Sequence, residues 1–117
     1  MSRAHRRGAD AERAVARALG TTRTRNRSRY SSEPDMEPVR LESGITLVVE
    51  SKARGSVPRW LVGAVEQAAR YLPNAVPVAV VSGAGVRLAV LHLADLAALL
   101  GLHAHDAQGV LPLGVKR

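Results

Sequence analysis

Between Ala9 and Leu19 the apolar positions fall at Ala11, Val15, Ala18 and Leu19, the three-and-four spacing of one helix face, and Gly20 follows as a stop. Glu12 shares that face with Val15, Ala16 and Leu19, whereas Asp10, Arg13 and Arg17 point elsewhere. The pattern predicts a helix over 9–19 with one carboxylate at the edge of its buried side. Thr21 to Arg27 then alternates Thr and Arg, as an exposed edge strand does, and Ser28 to Pro34 reads as a polar loop. Asp35 to Leu41 is a second expected strand, bulged or at an edge because Pro38 interrupts it. Ser43-Gly44 supplies a turn, and Ile45 to Lys52 is the strongest strand signal in the chain, so the two strands form a hairpin.

Further along, Gly55 to Val57 is a loop, and Pro58 opens a helix that runs to about Leu72 and ends at Pro73-Asn74. Val76 to Val81 is a continuous apolar run, the mark of a strand buried on both faces. Ser82 to Gly85 is a turn, Val86 to Leu93 a further strand, and Ala94 to Leu100 a short helix closed by Gly101. From Leu102 the chain has no clear period, and there are no internal repeats. The order is helix, three strands, helix, two strands, helix. The fourth strand follows a helical crossover, which implies a parallel neighbour. The expected fold is α/β, with a mixed central β-sheet flanked by α-helices. The expected organisation is one domain over residues 1–117, with a basic arm at 1–8 and a tail at 102–117.

Composition narrows the picture. At 117 residues and 46% apolar content the chain can build one core but hardly two. Phe is absent, so that core is expected to consist of Val, Leu, Ala and Ile. The absence of Cys rules out a disulfide framework, a thiolate zinc site and a Cys nucleophile. No apolar run is long enough for a membrane span, and the basic start Met-Ser-Arg-Ala-His-Arg-Arg argues against a signal peptide, so a cytoplasmic protein is expected. The net charge is +7, and thirteen of the seventeen Lys and Arg lie in residues 1–60. A basic surface distributed in this way suits a polyanion, nucleic acid first.

The sharpest chemistry sits in the hairpin. Glu50 and Lys52 are two apart on a strand, so both leave the same face. The short turn sets residue 35 roughly opposite residues 50 to 53, so Asp35, Glu50 and Lys52 can converge at one end, and Glu12 could add a third carboxylate. Clustered carboxylates repel unless a cation neutralises them, and oxygen ligands suit Mg²⁺, with Mn²⁺ as a substitute. A Lys beside such a metal can hold a nucleophilic water or offset charge on a phosphorane-like transition state. An isolated Glu-x-Lys is equally a surface ion pair, Asp35 alone a turn cap and Glu12 alone a helix-surface charge. The conjunction is what points to phosphodiester hydrolysis.

Pro34-Asp35 followed by Glu50-Ser51-Lys52 at the end of an apolar strand resembles the PD-(D/E)XK nuclease motif, and the element order over residues 8 to 92 resembles that superfamily's restriction-endonuclease-like core. Arg7-Gly8, Glu12-Arg13, the Arg residues of the next strand and a Ser shortly before Pro34 look most like the archaeal and viral Holliday junction resolvases. The resemblance implies a homodimer that nicks two strands of a four-way DNA junction. It implies Glu12, Asp35 and Glu50 as metal or active-site acids, Lys52 as the catalytic Lys, and Ser31 or Ser32 as the loop Ser. Arg6, Arg7, Arg23, Arg25, Arg27, Arg29 and Arg54 are the expected DNA contacts. Gln67 and Tyr71, four apart on the second helix in one stripe with Trp60 and Ala64, are similar instead to the RecB-type exonuclease motif, in which such residues support the catalytic groups and the DNA. A resolvase this compact also fits a phage source, with the host cytoplasm as its location.

Weaker signals carry less. His92 reads as a buried or sheet-surface residue, and His103 and His105 as tail residues rather than metal ligands. Ser82-Gly83-Ala84-Gly85 lacks the Lys of a phosphate loop and reads as a turn. Three functions compete: a junction-resolving endonuclease, a nuclease of the same fold acting on ends or single strands, and a non-catalytic DNA-binding module.

Overall fold

Arginine and alanine, both strong helix formers, carry helix α1 (Arg3–Ala18). It starts well ahead of Ala9, because residues assigned above to a basic arm continue the same helix through Gly8. In this computed structural model residues 3–24, 35–106 and 109–112 are described. The end of α1 is a Schellman cap. Thr21 N–H donates to the Ala16 carbonyl at 2.8 Å and Gly20 N–H to the Arg17 carbonyl at 3.1 Å, with Gly20 at φ 71°. Ala16 and Leu19 are the fully buried positions of its apolar face, and Val15 packs against them.

The chain then folds back on itself. Arg23 and Met36 form an antiparallel bridge, flanked by Thr24 N–H to the Asp35 carbonyl (3.2 Å) and Glu37 N–H to the Thr22 carbonyl (2.9 Å). Past Pro38, β1 (Val39–Arg40) pairs with β2 (Thr46–Leu47) across the Ser43-Gly44 turn, in the register Val39↔Leu47 and Arg40↔Thr46. The expected hairpin is therefore present, with a ladder much shorter than 35–41 against 45–52. Pro38 has no N–H to donate, which divides the first strand, and beyond Leu47 the chain runs irregularly through Lys52.

Helix α2 (Arg59–Tyr71) begins after Pro58, whose carbonyl accepts from Leu61 and Val62, and ends where Leu72 turns extended. Strands β3 (Ala79–Gly83) and β4 (Val86–Val90) form a second hairpin, closed by a two-residue turn at Ala84 (φ 49°) and Gly85 (φ 79°). Positive φ at both positions gives the turn the twist that matches its strands. Helix α3 (Leu93–Leu99) follows, and then a third hairpin, β5 (His103–Asp106) with β6 (Gly109–Pro112), in a segment that shows no period in the sequence.

The molecule is thus a small mixed α/β protein. The expected mixed central sheet is not formed among the described residues, where three hairpins make three two-stranded antiparallel sheets. β3 has no parallel neighbour there. It turns back into β4, the partner two residues away, whose pairing costs the least loop-closure entropy. The Val76–Val81 run is also not buried on both faces, since Val76, Val78 and Val80 are exposed. The core joins α1, β1 and α3 through Ala16, Leu19, Met36, Val39 and Ala97, with Leu47, Val49 and Leu102 packed against it. Its largest fully buried side chain is Met36, not one of the aliphatics expected from composition. Among the described residues no helix is long and apolar enough to cross a membrane.

Candidate functional site

The β1–β2 register, continued towards the hairpin's open end, sets residue 35 opposite residue 51. The backbones do not pair there, but the side chain spans the gap. Asp35 Oδ2 accepts the Ser51 N–H at 2.7 Å, across 16 residues of sequence. Asp35 is only 4% exposed, so its carboxylate is held in a largely dry setting where a charge-assisted bond counts for more than it would in water.

Glu50 and Lys52 flank that anchored N–H. They form an ion pair, Lys52 Nζ to Glu50 Oε1 at 3.0 Å, with both side chains more than half exposed. The Asp and the Glu-x-Lys separated by fifteen residues of sequence therefore meet at one place. A buried acid, an exposed acid and an exposed cation stand around a single peptide unit.

Glu12 takes a different position. Its side chain, 18% exposed, accepts from Arg23 Nε at 3.0 Å. Arg23 is bridged to Met36, the residue after Asp35, so Glu12 reaches the Asp35 strand through Arg23. Among the described residues no three His, Asp or Glu side chains come together as a metal-holding group. The third carboxylate expected from the sequence serves an ion pair instead. The same pair engages Arg23 through Nε, with the Arg23 side chain 38% exposed.

The other expected residues divide by position. Arg7 is exposed, and its Nη1 would stand 3.9 Å from a Cβ added to Gly55, so it lies against the loop that follows Lys52. Arg54 is exposed on that loop and donates to the Ala53 carbonyl. Arg7, Lys52 and Arg54 thereby make one basic stretch beside the motif. Gln67 Nε2 donates to Tyr71 Oη at 2.9 Å on the exposed side of α2. Arg25, Arg27, Arg29, Ser31 and Ser32 lie outside the described residues, as does the side chain of Arg6.

Two features have no clear signal in the sequence. One is the Ser51 main-chain N–H, which donates to the Asp35 carboxylate and which no side-chain motif can announce. The other is a groove of about 580 Å³ between the end of α1, the β1–β2 turn and the end of α3, lined by Thr21, Arg40, Glu42, Leu99 and His103 among others. Its walls come from distant segments, and none of the motif residues lines it. No protein-family model, curated protein or solved structure matches the chain.

Proposed function

We propose that this protein is a Mg²⁺-dependent DNA endonuclease of the PD-(D/E)XK type, acting as a homodimer on branched DNA, with four-way junctions as its substrate. The observation that carries the reading is the 2.7 Å hydrogen bond from Ser51 N–H to Asp35 Oδ2, which unites the Asp with Glu50 and Lys52. The finer fold belongs to the same proposal. It takes α1, the antiparallel run through residues 22–24, 35–41 and 45–47, then α2 and β3, in that order, as the counterparts of a restriction-endonuclease-like core, with β3 set apart from the first hairpin.

The donor set suits the metal. Mg²⁺ is ordinarily held by one or two carboxylates together with water and substrate phosphate, so Asp35 and Glu50 are enough without Glu12. Mn²⁺, with the same preference for oxygen, would substitute. When bound, the ion supplies an acidified water and neutralises phosphate charge. The chain's own groups have separable tasks. Asp35, fixed by Ser51, keeps a carboxylate in place on a rigid base. Glu50 orients Lys52 through their ion pair. Lys52 donates to a phosphate oxygen, where its charge offsets the negative charge that develops during hydrolysis. Arg7 and Arg54 hold the flanking phosphates.

The Gln67–Tyr71 hydrogen bond favours a second reading, a nuclease of the same fold acting on ends or single strands. Incubating the protein with synthetic four-way junctions, linear duplex and single strands, with and without Mg²⁺, separates the two. Mg²⁺-dependent nicking confined to the junction supports the first. Degradation of ends or single strands supports the second, and no cleavage of any substrate removes both.

A further inference from the structure

Trp60 is the chain's only tryptophan, and it is 64% exposed; Tyr71 is 75% exposed. Both lie on α2 in one stripe, Trp60, Ala64, Gln67 and Tyr71, whose spacing of four, three and four keeps them on one face. The inner side of the helix is elsewhere, at Val65. The rings stand eleven residues apart, about 16 Å along the axis, too far to sandwich one planar group and far enough to take two. Between them Ala64 adds little relief, and Gln67 ties down the phenol by its 2.9 Å bond while the Tyr71 hydroxyl keeps its own hydrogen to donate.

The surroundings are cationic. Arg59 opens the helix, Arg70 closes it, and Arg54, Arg7 and Lys52, the last ion-paired with Glu50, lie on or against the segment leading into it; Glu66 is the one acid of α2. Exposed aromatics beside a basic track are what a single strand requires, since cations hold the backbone and the rings accept unpaired bases of any sequence. An aromatic face meant for a second copy of this chain would bring these like charges together, which opposes that occupant.

We propose that Trp60 and Tyr71 form a stacking platform for unpaired bases, so that the protein recognises single-stranded segments in its nucleic-acid partner. The inference rests on the nucleic-acid reading above but not on cleavage, and it adds Trp60, which the motif resemblance does not include. Each ring accounts for roughly a fivefold to hundredfold share of single-strand affinity.

The lone tryptophan reports directly on the platform. The full-length protein, in EDTA so that nothing is cut, is titrated with a short oligothymidine, with an abasic strand of equal length and charge, and with duplex. Oligothymidine is expected to quench Trp60 emission saturably, whereas the abasic strand binds with little quenching. Trp60→Ala and Tyr71→Ala, followed by the anisotropy of dye-labelled strands because the Trp60 variants have no tryptophan left to report, should each weaken oligothymidine binding at least fivefold and leave abasic-strand binding unchanged. Trp60→Phe, which keeps a ring and guards against a folding artefact, should retain most of the affinity. Equal quenching by the abasic strand, or alanine variants that bind oligothymidine like the parent, overturns the platform while the nucleic-acid reading stands. Absence of any binding overturns both. Blue-shifted emission in the free protein that depends on its concentration also overturns the platform, because a second copy then covers α2. Failure to cleave in the separate Mg²⁺ assay affects only the nuclease reading.

Discussion

Asp35 is a buried acid whose Oδ2 accepts a main-chain N–H, and that bond makes its two possible roles separable. Asp35→Asn keeps an oxygen for the Ser51 N–H and removes the charge a metal requires. The expected outcome is a chain that melts close to the parent, binds junction DNA as well or slightly better, and no longer cuts in Mg²⁺. Lys52→Ala should also stop cleavage while leaving Mg²⁺ binding in place, because an ammonium is not a ligand. Thermal melts alongside the cleavage assay check both, and a folded Asp35→Asn protein cutting at the parent rate removes Asp35 from the site. Arg23 makes a contrasting case. Its ion pair with Glu12 is partly buried, so Arg23→Ala leaves a carboxylate short of its partner and should lower stability by about 0.5–1.5 kcal/mol in urea unfolding, whereas Arg54→Ala, at the surface, should lower it by less than about 0.5 kcal/mol. The meeting of Asp35 with Glu50 and Lys52 was legible from the length of the hairpin alone. The diversion of Glu12 to Arg23 was not, because a helix face tells which side a carboxylate leaves but not which cation reaches it first.

The elements differ in how strongly their own residues specify them. α2 and α3 lie close to their sequence expectations, because Pro58 and Gly101 punctuate them and apolar spacing fills them. The strands are less well specified. Ile45 to Val49 is apolar but for Thr46, yet a two-stranded piece can bury one face only, so Leu47 and Val49 turn inward and Val48 outward, while Ile45, beside the turn, is also exposed. The β3–β4 turn holds a local conflict that can be tested. Ala84 sits at φ 49°, a left-handed conformation that costs an alanine roughly 1 kcal/mol and that asparagine adopts readily. Ala84→Asn should therefore stabilise the protein by about 0.5–1 kcal/mol in urea unfolding, and Ala84→Val should destabilise it by at least as much. An Ala84→Asn midpoint at or below the parent's would show that this turn is not strained.

At the scale of the whole molecule, the β3–β4 hairpin carries exposed apolar surface. Val80 pairs with Ala89 on one of its faces and Val81 with Leu88 on the other, and Val80 and Leu88 are 64% and 60% exposed. A two-stranded sheet with apolar side chains open on both faces is marginal in water, and among the described residues its outer edges are unpaired. The proposed homodimer would cover such surface, and mass action then makes stability depend on concentration. Sedimentation is expected to show a dimer at micromolar protein, and Tm should rise with concentration; a monomer whose Tm is flat from low to high micromolar, with or without DNA, removes paired cutting. Charge acts at the same scale. With Arg7, Lys52 and Arg54 gathered beside the motif, the slope of log affinity against log salt should flatten by about 0.9 for each of these cations replaced by alanine. Junction binding that does not change across a salt titration would mean that the basic stretch contacts no phosphate.

The positions of α2 and α3, the turns at Ser43-Gly44 and Ala84-Gly85 and the opposition of Asp35 to Glu50-Ser51-Lys52 follow from the chain's own order, because spacing, punctuation and loop length act over a few residues and are written there directly. Which hairpin joins which sheet, how far a ladder runs past Pro38, that Met36 rather than an aliphatic residue fills the centre, and that Arg23 claims Glu12 are outcomes of competition between segments far apart in sequence. Each depends on which group arrives within hydrogen-bonding or packing distance once the helices have docked. Burial on one face of a short sheet excludes burial on the other, and a carboxylate already paired in a dry setting is no longer available to a neighbour. Only the assembled fold brings those alternatives face to face.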